Sequence, residues 1–139
     1  MRHGRVLALT AATTVVVLLV DQLVKALVRG SLENGERRDV LGSALRVVHV
    51  ENDGVAFGRL SGSPVLVALV VAVALVALVV FVSTHLDVPG IWLPTGMLLG
   101  GAIGNVVDRA ARGSVTDYVK ASHWPAFNAA DVAITLGVV

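Results

Sequence analysis

The sequence predicts an all-α membrane protein of four transmembrane helices carrying a small strand-bearing piece on one surface. Hydrophobic side chains make up 55% of the 139 residues and charged ones only 15%, with a mean hydropathy of +0.81; a water-soluble domain is far less apolar. Long uncharged runs recur along the chain, and lipid requires each to satisfy its backbone groups internally, which makes them helices. Between the first two runs lies a long linker of mixed charge with an alternating apolar and polar stretch. Residues 1–139 therefore read as one integral membrane domain.

The first segment covers about 6–28, apolar to Val20 and then broken by Asp21, Gln22 and Lys25. Arg2 and Arg5 ahead of an apolar stretch also describe a secretory signal peptide. The run leads into Asp21-Gln22-Leu23-Val24-Lys25 instead of a small-residue cleavage site, however, and further apolar segments follow. The second, 64–84, is almost unrelieved Val, Ala and Leu, a composition that suggests a strand in water but that lipid forces into a helix. The third, 90–112, has Pro94 near its start and Asn105, Asp108 and Arg109 towards its end. The fourth, 127–139, is short: a dozen helical residues at about 1.5 Å each cover little more than half of the hydrocarbon core, so a truncated C-terminus is expected.

The linkers differ in kind. Arg29 to Gly62 contains Leu45-Arg46-Val47-Val48-His49-Val50, whose alternation predicts one or two short strands lying on the membrane surface. Ser83 to Pro89 is a tight turn, and Gly113 to Ala126 is expected to be a second exposed connection, with Gly113 and Pro125 as breakers. An even number of spans puts the two long linkers on one face and the termini with the tight turn on the other. Arg2 and Arg5 are the only Lys or Arg on the terminal face, so the positive-inside rule taken alone would place the termini outside.

Composition also excludes classes of function. The net charge of +1, from 11 Lys and Arg against 10 Asp and Glu, offers no basic surface for nucleic acid. Without cysteine there is no disulfide, thiolate metal site or catalytic thiol. His3, His49, His85 and His123 are scattered without ligand spacing and read as surface or loop residues, and neither a G-x-S-x-G elbow nor an H-E-x-x-H helix occurs. Trp92 and Trp124 read as markers of the membrane interfaces.

Ionisable residues in or beside a span cost at least about 2.5 kcal/mol each at the helix centre, so each needs a partner or a function. Asp21 and Lys25 stand i, i+4 on one helical face, which reads as a structural ion pair. Asn105, Asp108 and Arg109 share a face continuing the ladder Gly96, Gly100 and Gly104, the spacing that lets two membrane helices approach closely. For Asp108 and Arg109 a buried polar network and a catalytic role remain equal readings. Asp117 lies in a surface connection and Asp131 at the start of the fourth segment, both on the same face. Two carboxylates brought within a few ångströms share one proton, and such a pair can act as base towards water and acid towards an amide. A small transporter or proton-relay subunit, with Asp21, Asp108 and Asp131 marking an ion path, is the alternative, and an assembly subunit held by the glycine ladder is a third.

Five stretches, in order, resemble the motifs of the lipoprotein signal peptidase family, also called signal peptidase II. They are Asp21-Gln22-Leu23-Val24-Lys25, Asn52-Asp53-Gly54-Val55-Ala56-Phe57, Gly101 through Arg109, Gly113 through Val119, and Phe127-Asn128-Ala129-Ala130-Asp131. The resemblance implies a four-helix bacterial protease of the cytoplasmic membrane, with both termini cytoplasmic and a β cradle plus a short amphipathic helix on the outer face. Asp117 and Asp131 match its catalytic dyad. Asn52, Gly54, Asn105, Asp108, Arg109 and Asn128 match residues that line or brace the site, and Asp21 and Lys25 match the first-helix motif. The implied substrate is a diacylglyceryl-modified prolipoprotein cut just before its lipidated cysteine, by a monomer in contact with membrane lipid. No metal or organic cofactor is required, because carboxylates activate water directly.

Overall fold

The computed structural model describes residues 2–42, 44–53 and 64–139. Its elements are α1 (Arg2–Ser31), β1 (Arg37–Leu41), β2 (Leu45–Asn52), α2 (Pro64–Thr84), α3 (Trp92–Arg112), β3 (Val115–Ala121) and α4 (Ala129–Val138). Helix α1 extends beyond the apolar run at both ends, and within it His3–Ser31 is long and apolar enough to cross a membrane. Gly54 lies outside the described residues, as does the Val55-Ala56-Phe57 part of its motif. Among the described residues there is no short amphipathic helix beside the sheet.

Helix α3 is the hub, packed along α1 on one side and α4 on another. The glycine ladder is what permits the first contact. A Cβ on Gly96 would fall 2.4 Å from Thr13 Cβ, one on Gly100 2.7 Å from Val17 Cβ, and one on Gly104 2.5 Å from Asp21 Oδ2. Thr13, Val17 and Asp21 repeat every four residues in step with the glycines, so the two helices run parallel with their backbones nearly touching. On the opposite side Gly101 meets Ala130 O, while Gly137 meets Pro94 O, which sets α4 antiparallel to α3. Among the described residues helix α2 packs against α3 and leaves Val70, Val73, Val76 and Val80 exposed.

One end of the bundle gathers the start of α1, the α2–α3 turn and the end of α4. His3 Nε2 meets Asp87 Oδ1 at 2.9 Å there, and Gly137 lies against Leu98. At the other end sits an antiparallel sheet of order β1-β2-β3, seated on the last turns of α1 through Val28, Leu32 and Tyr118. Helix α3 stops at Gly113, whose φ of 81° is the left-handed conformation that returns its N–H to Arg109 O and turns the chain into β3.

Two expectations need correction at the sheet. The Gly113–Ala126 connection is not simply exposed: Val115 through Tyr118 are buried in β3, which pairs with β2 and is closed on its other side by a bridge between Val119 and Phe127. Its Val, Thr and Tyr content suits a strand. His49 is likewise buried, because the register shift between Val47 and Val50 turns it under the end of α1, where Nδ1 meets Leu32 O at 2.9 Å.

Because a Cβ on Gly100 would also lie 2.8 Å from Thr14 O, a backbone atom that cannot swing aside, α1 and α3 must separate to admit it. Gly100→Ala should therefore cost about 1–3 kcal/mol. Gly30→Ala, whose Cβ would meet nothing within 4 Å, serves as the control. Thermal unfolding in detergent should show a clear drop for the first variant and none for the second.

Candidate active site

The largest fully buried side chains are Lys25, Asn128, Thr116, Asp21 and Asp108, all polar or charged, while Val16, Leu19, Leu23 and Val73 are exposed. This inverts the pattern of a water-soluble core, and the buried polar groups are organised. Lys25 Nζ has three protons and meets three acceptors: Asp21 Oδ2 at 2.8 Å, Asp108 Oδ2 at 2.9 Å and Asn105 Oδ1 at 3.0 Å. Gln22 Nε2 spans Asp21, Asp108 and Gly104 O, each at 3.2 Å. Arg29 and Arg112 stand 3.9 and 3.7 Å from Asp108 Oδ1, which offsets the second carboxylate of the cluster.

From this cluster two connections reach α4. Asp21 Oδ1 accepts the N–H of Ala130 at 3.0 Å, and Tyr118 Oη accepts that of Ala129 at 3.0 Å. Asn128 caps the helix, its Oδ1 accepting from Asp131 N at 2.9 Å while Asp131 Oδ2 accepts from Asn128 N at 3.2 Å. The first amides of α4 are thus satisfied by side chains from α1, β3 and the helix itself, and Asp131 is locked at its third position.

The other connection is a relay of amides. With Oδ1 turned to Lys25, Asn105 must present Nδ2 elsewhere, and it donates to Asp131 Oδ1 at 3.0 Å. With Oδ1 used in the cap, Asn128 presents Nδ2 to Asp117 Oδ1 at 2.7 Å, and Asn52 donates to Asp117 Oδ2 at 3.0 Å. Each of the two carboxylates therefore receives two N–H donors, and Asn128 touches both. Burial pushes the Asp117 carboxyl up to about 6; the Asp131 charge adds to the rise, and donation from Asn52 and Asn128 and the Lys25 charge oppose it.

The structure thus gathers Asp21, Lys25, Asn52, Asn105, Asp108, Asp117, Asn128 and Asp131 into one continuous network. Asp108 sits in its buried half, on Lys25 and Gln22, with no direct contact to Asp117 or Asp131 among the described hydrogen bonds. Arg109 stands aside, its Nη1 3.4 Å from Asn105 O, at the wall of a cavity of about 390 Å³ between α2, α3 and α4. Val70, Ala74, Leu78, Ala102 and Ile134 make that cavity apolar, and Asn105 and Arg109 are its polar end. Among the described residues no group of His, Cys, Asp or Glu is arranged to hold a metal ion.

Residues that sequence reasoning passed over complete the network. Arg29 lies one turn beyond Lys25 on the same face, a spacing that could have revealed it. Glu51 and Thr116 alternate with Asn52 and Asp117, so period two places them on the opposite side of the strands.

A bundle with an apolar exterior, a charged interior and two carboxylates linked through Asn128 where sheet meets helix is built as a membrane protein with a polar site at one end. Two solved structures, each described as a bacterial membrane enzyme, share the fold. One has a TM-score of 0.84 at 28% identity, covering 93% of this chain and 82% of that one. The other has a TM-score of 0.80 at 28% identity, covering 93% and 86%. A family model described as signal peptidase (SPase) II matches residues 13–139. The lipoprotein signal peptidase of Moorella thermoacetica is 39% identical, over 88% of this chain and 83% of the relative, and that of Halothermothrix orenii 34%, over 88% and 84%. The chain belongs to the signal peptidase II family and is a peptidase.

The pH dependence of stability tests the site electrostatics. A carboxyl raised from 3.8 to about 6 holds its proton better folded than unfolded. Its contribution is fully present below the unfolded value and is lost as pH rises through about 6. The gap of roughly two units corresponds to an order of 2–3 kcal/mol. Parent and Asp117→Asn, melted side by side from pH 4 to pH 7, should diverge in that direction, the parent losing ground as pH rises. A constant difference would show that Asp117 is not raised.

Proposed function

We propose that this protein cleaves the signal peptide from diacylglyceryl-modified prolipoproteins just before the lipidated cysteine, with Asp117 and Asp131 as the catalytic dyad. The observation that carries the reading is that Asn105 lies at the polar end of the apolar cavity and donates to Asp131. An apolar signal segment or an acyl chain lodged in the cavity would deliver its scissile amide to the carboxylates, with the Arg109 guanidinium beside it. The family and the names of the relatives support the same substrate class.

The two aspartates suit different tasks. Asp131 stands at the third residue of α4, held by Asn105 and its own cap and partly accessible; Asp117 is buried on a strand, where burial raises its carboxyl, and is assigned the shared proton. Asp131 then removes a proton from water as the oxygen attacks the scissile carbonyl, and Asp117 gives its proton to the carbonyl oxygen. Collapse breaks the C–N bond: the departing amine takes the proton now on Asp131, and a hydroxyl of the diol returns its proton to Asp117 as the carbonyl re-forms, so that the pair again holds one proton.

We place four helices across the bacterial cytoplasmic membrane, the enzyme acting as a monomer with its sheet and dyad at the outer face. Supporting this are the apolar exteriors of α1 and α2 and the grouping of the α1 start, the α2–α3 turn and the α4 end opposite the sheet. The ion-path alternative lacks support: Asp21, Asp108 and Asp131 belong to one network at the sheet end, and among the described residues no polar chain leads on to the other end. Cysteine placed at Ser122 should react with an impermeant thiol reagent on intact cells, and cysteine at Thr84 only after lysis. The reverse pattern would invert the orientation and bring it into line with the charge count.

Asp117→Asn and Asp131→Asn should each reduce turnover of a lipidated prolipoprotein by at least about 10³-fold, and the double variant should be scarcely worse, because the pair acts as a unit. Turnover of either single variant near the parent's rate, with melting preserved, would remove the dyad from the mechanism.

A further inference from the structure

The back of the β2–β3 ladder holds a polar cluster that the proposed chemistry does not use. Glu51 Oε2 accepts from Ser114 Oγ at 2.6 Å, and Oε1 accepts from Thr116 Oγ1 at 3.0 Å and meets His49 Nε2 at 2.8 Å. Thr116 Oγ1 itself accepts from Arg29 Nη1 at 2.9 Å, so its own proton is committed to Glu51. Thr116 N reaches Asp108 Oδ2 at 3.4 Å. Ser114, Thr116 and His49 are buried, and both ring nitrogens of His49 face oxygen acceptors, Leu32 O and Glu51. A carboxylate with this many donors holds its ionised form: burial works against it, but Ser114, His49 and Thr116 leave it below the usual carboxylate range.

The position of this cluster matters because side chains alternate across a strand. Glu51 is directly opposite Thr116, Val50 is opposite Asp117, and Asn52 is opposite Val115. Glu51 and Thr116 therefore occupy one face of the ladder and Asn52 and Asp117 the other. Just before this pairing the ladder is irregular, between Val47 and Val50. A strand that resumes pairing after an irregularity can resume one residue out of step, and such a slip exchanges the two faces.

We infer that Glu51 is a positioning residue for the reaction, fixing the β2–β3 register from behind so that Asn52 donates to Asp117. The inference rests on the dyad reading above, but its structural half can be read without activity. Glu51→Gln puts one oxygen and one NH₂ where two acceptor oxygens stood, so either Ser114 must turn its hydroxyl to accept or the contacts of His49 and Thr116 must rearrange.

The test uses the full-length enzyme in detergent with a lipidated prolipoprotein and compares Glu51→Gln, Asn52→Ala, their combination and Thr116→Ser. Glu51→Gln should lower kcat about tenfold with KM within about twofold, because the lost donor acts on the carboxylate rather than on substrate binding. The combination should be no worse than Asn52→Ala alone, since Glu51 acts through Asn52. Thr116→Ser, which keeps the hydroxyl, should behave as the parent. Independently of turnover, carbon-13 spectra of aspartate-labelled protein should show Asp117 titrating about half a pH unit or more higher in both Glu51→Gln and Asn52→Ala, because each loses a donor to the ionised carboxylate. Additive losses of kcat, an effect confined to KM, or an Asp117 titration unchanged by Glu51→Gln would each overturn the inference. If the Asp117 titration moves as expected while Asp117→Asn still cleaves, the register role stands and the dyad reading is what has failed.

Discussion

The ammonium group of Lys25, fully buried, is the constraint on which the rest of the structure depends. An uncompensated charge at this depth would cost several kcal/mol, and removing one partner of a buried ion pair typically costs about 3–5 kcal/mol. Its three acceptors come from α1 and α3, so those helices can pack in only one register. The glycines at 96, 100 and 104 follow from that requirement, since any side chain on them would strike Thr13, Val17 or Asp21 and hold the carboxylates away from the ammonium. Helix α4 is drawn into the same arrangement, because the second oxygen of Asp21 is spent on Ala130 N.

Direction passes outwards from that charge. A carboxamide has one end that accepts and one that donates, so fixing its oxygen fixes what its nitrogen must do. Lys25 turns the oxygen of Asn105 inwards, and the amide at Asp131 does the same for Asn128. Both nitrogens then point at carboxylates, and Asn52 supplies another. The arrangement has a consequence for asparagine variants at either of these aspartates. An amide at position 117 or 131 would set its own NH₂ against a donor, so relief of buried charge is opposed by a lost hydrogen bond, and the net effect on stability is smaller than the loss of charge alone suggests.

Much of this was legible in the sequence, and the parts that were not share a physical cause. Asp21 and Lys25 could be paired by their spacing of four, and the glycine ladder could be read as a close helix contact, because both signals are local to one helix. That Asp21 also holds the start of α4 depends on a contact 109 positions away along the chain, which no periodicity encodes. Strand β3 was read as an exposed connection because its Val-Thr-Asp-Tyr-Val run is short and places polar residues on both sides of the strand. Only the neighbouring elements decide that Thr116 and Asp117 are both buried. Asp117 and Asp131 were recognisable by their motifs, whereas spacing in a linear chain could not bring them together around Asn128.

The two carboxylates occupy a seam between different kinds of secondary structure, and that seam resolves a conflict. Inside a helix bundle a side chain is well fixed but shielded from water, as Asp108 is. On a surface loop a carboxylate exchanges protons freely but is poorly placed. Asp117, on a strand that is buried yet belongs to the sheet, is held from both sides by amides that leave its protonation state open; Asp131, on the first turn of a helix, is fixed by its cap while remaining partly accessible. Asn128 joins the two because it is at once the last residue before the helix and the one whose amide reaches the strand. On the proposed dyad reading, moving either aspartate a turn deeper or a residue further along its element would trade positional control against proton exchange, and the sheet seated on the end of α1 keeps both.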